Sequence, residues 1–316
     1  MFSMPPAVSI DSERISLRQL GLTWLDEVEE FVNNPELSAL TGTKKRFSRE
    51  VLTDWLASRP SQSNRCDWAI LDRESGDFLG EVVLNELDEA KNSMNLRISL
   101  ASLSLTGQGI GSEAIELVLT YAFDQLQLSK VTLEVLTTNP RAHAAYSKVG
   151  FVDGRQFSEG KLRYQRMSID KLQFVQAIAK RSMARFLAAE WQFAFDSGKR
   201  RAGICVYTDK QIRLSKHLVN LHSVEDARQV MWHEIAHAIC GKDAGHGKEW
   251  LATAKGMGYK AEKFTGETIA ENTAPWSGTC PKGHMHYRYR KPTRQMSCGK
   301  CSRSFSRLAL ITWQQR

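Results

Sequence analysis

The alternation of apolar and polar positions reads as strands over residues 14–18, 67–71, 78–85 and 95–100. Residues 113–127 instead carry apolar side chains at helical spacing and predict one helix. A strand pattern returns over 130–136. A short helix is expected over 140–148, with Pro140 in the first turn, where its missing N–H leaves no bond unmade. The segment from Gly150 reads as a closing hairpin that ends near Asp170. Strands and helices in this order indicate an α/β domain on a mixed central sheet.

Beyond Asp170 the pattern changes. A long basic amphipathic helix is predicted over 171–190, then three short strands over 191–195, 203–207 and 211–215. A helix follows from about 224 to 240, with Ser223 and Asp226 spaced for a capping box, and another over 248–257. From Gly278 the chain is turn-rich. The expected domains are therefore 1–170, 171–275 and 276–316. No internal repeat or low-complexity segment interrupts them.

Composition narrows the setting. The chain has 316 residues, 42% of them hydrophobic, and no run approaches the roughly 18 apolar residues of a membrane span. The N-terminus lacks the basic start and apolar stretch of a secretion signal, so a cytoplasmic protein without membrane contact is expected. Charge is divided: residues 1–170 hold 18 Lys and Arg against 24 Asp and Glu, whereas residues 171–316 hold 25 against 11. Residues 278–316 hold nine basic residues and no acid, interleaved with Tyr287, Tyr289, Phe305 and Trp313. Such a tail suits DNA, with plain solubility as the simpler explanation. Cys66, Cys205 and Cys240 lie scattered among apolar neighbours and read as small core residues. Cys280, Cys298 and Cys301 cluster instead with His284 and His286.

Two segments carry metal-ligand spacing. His233 and His237 stand four apart on a predicted helix, so their imidazoles share one face, one turn apart, as a common zinc requires. Glu234 between them can reach a water held by such a metal and take its proton as general base. His246, flanked by Gly245 and Gly247, is the expected third ligand; Asp243, Glu249 and Glu262 are the alternatives. Further on, Cys298 and Cys301 form a CxxC knuckle opposite Cys280 and His284, a ligand set for a structural zinc ribbon, with His286 as the alternative to His284.

The run WQFAFDSGKRRAGICVYTDKQIRLSKHLVNLHS, then HEIAHAICGKDAGHGKEW, then the ribbon, resembles the SprT/Spartan-like metalloproteases over about residues 180–305. The resemblance implies an α+β zincin-like domain with a small zinc ribbon that cleaves DNA-bound proteins. It implies zinc on His233, His237 and His246, and Glu234 as catalytic acid and base. This ribbon departs from the family in its first knuckle, where a histidine stands in place of the second cysteine.

In the first half, Thr106-Gly107-Gln108-Gly109-Ile110-Gly111-Ser112 lies between a strand and a helix, where glycines let backbone N–H groups face a phosphate. With Asn139-Pro140-Arg141-Ala142 and Ala145-Tyr146-Ser147-Lys148-Val149-Gly150-Phe151, it resembles the GNAT acetyltransferases of the RimJ/RimL-like branch over roughly residues 10–170. The resemblance implies acetyl-CoA as cofactor, its pyrophosphate on Gln108, Gly109, Ile110, Gly111 and Ser112. It also implies that Asn139 contacts the pantetheine arm and that Tyr146 protonates the leaving thiolate. The family's Arg or Gln at the loop's start is Thr106 here, which weakens that expectation. The reaction needs a neutral amine, so a base is expected; Glu81 and Glu134 are the candidates, each also readable as an ordinary strand carboxylate.

Together these readings imply a bifunctional protein: an acetyl-CoA-dependent N-acetyltransferase fused to a DNA-associated zinc metalloprotease, with two zinc ions, one catalytic and one structural. The acetyl acceptor is an amine of a protein N-terminus or a small molecule. Two alternatives stand beside it. The first half could be a binding module that targets the protease, or it could be a toxin-like or regulatory acetyltransferase whose basic second half binds nucleic acid. So compact a fusion suggests a bacterial or phage source.

Overall fold

In the computed structural model, which describes residues 7–43, 45–199, 201–261, 270–271 and 273–316, the chain divides into two compact units, Met1–Ile178 and Ala179–Arg316. The first begins with β1 (Ile10–Asp11) and β2 (Ile15–Gln19), followed by the short helices α1 (Leu25–Val32), α2 (Pro35–Thr41) and α3 (Arg49–Ser58). Local chemistry starts the last two. The Asn34 side chain accepts from the N–H groups of Glu36 and Leu37 with Pro35 at the first helical position, and Ser48 caps α3. Then come β3 (Cys66–Asp72), β4 (Phe78–Asp88), β5 (Ser93–Leu100), α4 (Ile110–Asp124), β6 (Lys130–Leu136), α5 (Pro140–Val149), β7 (Val152–Glu159), β8 (Leu162–Ile169) and α6 (Lys171–Phe186), which crosses the unit boundary.

The eight strands form one sheet in the order β1-β2-β3-β4-β5-β6-β8-β7. Every pairing is antiparallel except β5 with β6, so the sheet is mixed. One face is covered by α1–α3, whose Val28, Phe31, Leu37, Leu52 and Leu56 pack with Leu20 against Ala69 and Leu71 of β3. The next residue along β3 points the other way: Trp68 meets Tyr121 of α4 edge-on at 5.5 Å. Phe174 of α6 closes this layer against Phe123 at 6.0 Å.

The second unit contains β9 (Gln192–Asp196), β10 (Gly203–Val206), β11 (Gln211–Ser215), α7 (Lys216–Leu221), α8 (Val224–Cys240) and α9 (Lys248–Gly256). Its sheet runs β10-β11-β9, with β9 and β11 parallel and β10 antiparallel at one edge. The capping box at Ser223 and Asp226 is formed, and Ile212, Leu214, Val230, Met231 and Ile235 are buried. At the C-terminal end β12 (Trp276–Thr279), β13 (Met285–Arg288) and β14 (Thr312–Gln315) build an antiparallel sheet in the order β13-β12-β14. Gly278 is required there, because a Cβ would lie 2.6 Å from Trp313 Cε3.

Candidate active and metal sites

On α8, His233 and His237 fall one turn apart, and the turn after the helix returns His246 to them. The three Nε2 atoms lie 3.0, 3.1 and 3.1 Å from one another. Three imidazoles cannot all satisfy each other by hydrogen bonds at that spacing. Tetrahedral zinc with nitrogens at about 2.0–2.1 Å sets them about 3.3 Å apart, so the donor set fits a zinc ion. Asp243 and Glu249 are not in this group, and Glu262 lies outside the described residues. Trp250 on α9 packs its indole on all three rings, with centroids 4.7 Å from His233, 5.4 Å from His237 and 4.7 Å from His246. Tyr259 meets it edge-on at 5.5 Å, on a segment held by Gln229, whose Oε1 accepts from Lys260 N at 2.7 Å.

Glu234 is 7% exposed and turns towards β10. Gly203 makes room for it: a Cβ at residue 203 would stand 2.8 Å from Glu234 Oε1 and 2.9 Å from its Cγ. Two residues along β10 and on the same face is Cys205, read above as a plain core cysteine. Burial first, and the Glu234 charge second, push its thiol up to about 12. Its sulfur is not among the atoms that converge with the three imidazoles. Neither the bare Cβ position of Gly203 nor the placement of Cys205 has a signal in the local sequence.

In the ribbon, His284 Nδ1 stands 3.5, 3.5 and 3.2 Å from Sγ of Cys280, Cys298 and Cys301. Cys280 and Cys301 sulfurs are 3.7 Å apart, near the edge of about 3.8 Å for a tetrahedron with zinc–sulfur bonds of about 2.3 Å. His286 is outside this group. Burial opposes ionisation of Cys280, but hydrogen bonds from the backbone N–H groups of His284 and Lys282, together with those from the Cys301 and Cys298 thiols, hold it down at about 6, as a thiolate ligand needs. The tail's aromatic rings are less free than the sequence suggests. Lys199 lies over Tyr289 at 4.5 Å, Arg316 over Tyr287 at 5.8 Å, and Tyr289 shares a hydrogen bond with Thr273 at 2.8 Å. Phe305 is 59% exposed and Leu308 91%.

In the first unit, β5 and β6 pair only through Ser93–Asn95 and Lys130–Thr132 and then run on separately to Leu100 and Leu136. Beyond this opening lies the loop into α4, with Gly107 and Gly109 at φ 80° and 85°. The N-cap of α4 is Gly109, which has no side chain to bond the first turn, so N–H groups there can face an anion. Arg14 donates to Gln108 O at 3.1 Å and pairs with Glu113, while Arg141 Nη1 donates to Thr106 Oγ1 at 2.9 Å. The Gln108 side chain serves the loop itself, donating to Ser104 O. Asn139 is also occupied: it caps α5 through Ala142 N at 3.1 Å, and its amide donates to Leu40 O at 3.4 Å. Burial pushes the Tyr146 phenol up to about 12. The two candidate bases separate. Glu134 is paired with Arg166 at 2.6 Å. Glu81 Oε2 is buried with no hydrogen-bond partner among the described residues, and burial, then the Asp67 charge, push its carboxyl up to about 7.

Comparison with known proteins finds one family match in each half of the chain. The "Acetyltransferase (GNAT) domain" family matches residues 14–152 and the "SprT-like family" matches residues 172–271. An N-acetyltransferase 9-like protein of Caenorhabditis briggsae is 25% identical over 154 residues, covering 46% of this chain and 77% of the relative. One from Nematostella vectensis is 22% identical over 151 residues, covering 43% and 74%. A spermidine N-acetyltransferase structure from Vibrio cholerae, in complex with CoA and spermine, aligns with TM-score 0.48 at 22% identity, over 52% of this chain and 99% of that one. Among the described residues no helix is long and apolar enough to cross a membrane.

Proposed function

Because the chain joins an acetyltransferase domain of the GNAT family to a domain of the SprT-like family, we propose that it is a two-activity enzyme: an acetyl-CoA-dependent N-acetyltransferase and a zinc-dependent peptidase directed to DNA-bound protein. The observation that carries the peptidase reading is the convergence of three imidazole Nε2 atoms beside a buried glutamate. The working division is acetyltransferase over 1–170, peptidase over 171–275 and nucleic-acid arm over 276–316.

In the peptidase, His233, His237 and His246 hold the metal, and Trp250 fixes their rings. Zinc, when bound, supplies Lewis acidity at the scissile carbonyl. Glu234 takes a proton from the attacking water and returns it to the departing amine. The ribbon, held by Cys280, His284, Cys298 and Cys301, presents a basic surface without acids to phosphates, with Phe305 as its exposed ring. Metal analysis combined with cleavage of a DNA-bound protein tests this reading. Undiminished cleavage by Glu234→Gln would sink it.

In the acetyltransferase, the uncapped start of α4 receives the pyrophosphate from Gln108 to Ser112, and Asn139 borders the pantetheine arm. With acetyl-CoA bound, Glu81 would remove one ammonium proton from the acceptor; as the amine nitrogen bonds to the acetyl carbon and the carbon–sulfur bond breaks, Tyr146 would give its proton to the sulfur, and the nitrogen's second proton would return through water to the Tyr146 phenolate. The occupied Asn139 side chain and Thr106 favour a second reading, in which this half only recruits the peptidase. Calorimetric titration with acetyl-CoA separates them, since absence of binding removes the transferase.

A further inference from the structure

The sheet face beneath α1–α3 is not wholly apolar. Cross-strand register sets Asp67 and Ala69 of β3 beside Val83 and Glu81 of β4, and these beside Arg97 and Ser99 of β5. This is the face on which Ala69 packs against α1–α3. Arg59, just after α3, is 8% exposed. Its Nε donates to Trp55 O at 3.0 Å, its Nη2 donates to Ser58 Oγ at 2.8 Å, and its guanidinium lies over the Trp55 ring at 4.8 Å. Its Nη1 is buried and, like Glu81 Oε2, has no hydrogen-bond partner among the described residues. Arg59 and Glu81 lie close enough to act on each other's charge, and Arg65 and Arg97 act on Glu81 as well. Buried polar atoms are nearly always matched by protein, water or ligand, and an unmatched cationic donor and an unmatched anionic acceptor in one patch suit a molecule carrying the complementary pair.

We propose that this patch is the acceptor subsite and that it takes a compact acceptor carrying an amine and a carboxylate on neighbouring atoms, an amino-acid head group, with the amine at Glu81 and the carboxylate at Arg59. It rests on the acetyltransferase reading above. Charge selects against a polycation. Arg59, Arg65 and Arg97 face Asp67 and Glu81, and Arg65 is already held by Asp67 at 2.5 Å. One cation is in excess. A carboxylate neutralises it, whereas a polyamine adds further positive charge.

The test uses the full chain, with initial rates for free amino acids, their amides, a short peptide and a polyamine, alongside acetyl-CoA calorimetry. Free amino acids should exceed their amides about ten- to a hundredfold in kcat/KM. The peptide, whose amine neighbours a carbonyl, should fall with the amides, and the polyamine below both. Arg59→Gln should erase the acid-over-amide preference through KM. Arg97→Gln, at an exposed position that carries no packing burden, should reduce it in the same direction. Polyamine or peptide as the better acceptor, or an unchanged acid-to-amide ratio in both variants, overturns the subsite while bound acetyl-CoA leaves the transferase standing. Absence of acetyl-CoA binding overturns both.

Discussion

Glu234 and Gly203 show how single atoms set the peptidase chemistry. Glu234→Gln keeps the shape but removes the base, so cleavage should fall about 10²–10⁴-fold with zinc content unchanged by metal analysis. Gly203→Ala should cost cleavage on a similar scale without touching a ligand, because the added Cβ meets the carboxylate at 2.8 Å and must move it. Full activity in Gly203→Ala would show that Glu234 has room to relax. Glu81 supplies a pH signature. Its carboxyl is raised to about 7 and works as the base only when ionised. The acetylation kcat/KM should therefore climb as pH rises through about 7, and Glu81→Gln should lose that limb. The Tyr146 phenol at about 12 stays protonated throughout this range.

At the scale of elements, α8 and the ribbon were the most readable. The 224–240 pattern, its capping box and its histidine spacing are all local quantities, and α8 spans Val224–Cys240. Between the two histidines the spacing favours His284 with His286 as the alternative, since both are within reach of the knuckle in sequence, and it is His284 that lies beside the three sulfurs. The strand β13 decides it by holding His286 in register with Gly278, while His284 precedes the strand. Zinc stoichiometry should fall by one per chain in His284→Ala and stay unchanged in His286→Ala. Helices α1–α3 were missed entirely. Each is ten residues or shorter, interrupted by Pro35 and Gly42, and such helices draw their stability from packing rather than from their own pattern. The helix α4 starts at Ile110, three residues before the pattern predicts, because Gly111 and Ser112 separate Ile110 from the apolar spacing that follows.

For the molecule as a whole, the charge division has a measurable consequence. DNA affinity should reside in residues 171–316 and weaken steeply with salt, whereas acetyl transfer should be far less salt-dependent. Glu234→Gln should leave acetyl transfer unaffected, and Tyr146→Phe should leave cleavage unaffected; assays of both activities on each variant check this. Loss of both activities in either variant would contradict separate catalytic centres.

The sequence alone determined what depends on neighbours along the chain: the alternation of strands, two imidazoles on one helical turn, the cysteine knuckle, the glycine-rich turn before a helix, and the uneven charge. Only the tertiary structure decided what depends on distant segments meeting. It brought His246 to the pair on α8, set the bare Cα of Gly203 against Glu234, paired off Glu134 while leaving Glu81 Oε2 buried and unmatched among the described residues, and set Arg59 in the same patch. Periodicity records which face of an element is buried, but not what lies across from it. A site is made of groups that face each other across elements, so its final members appear only when the chain is folded.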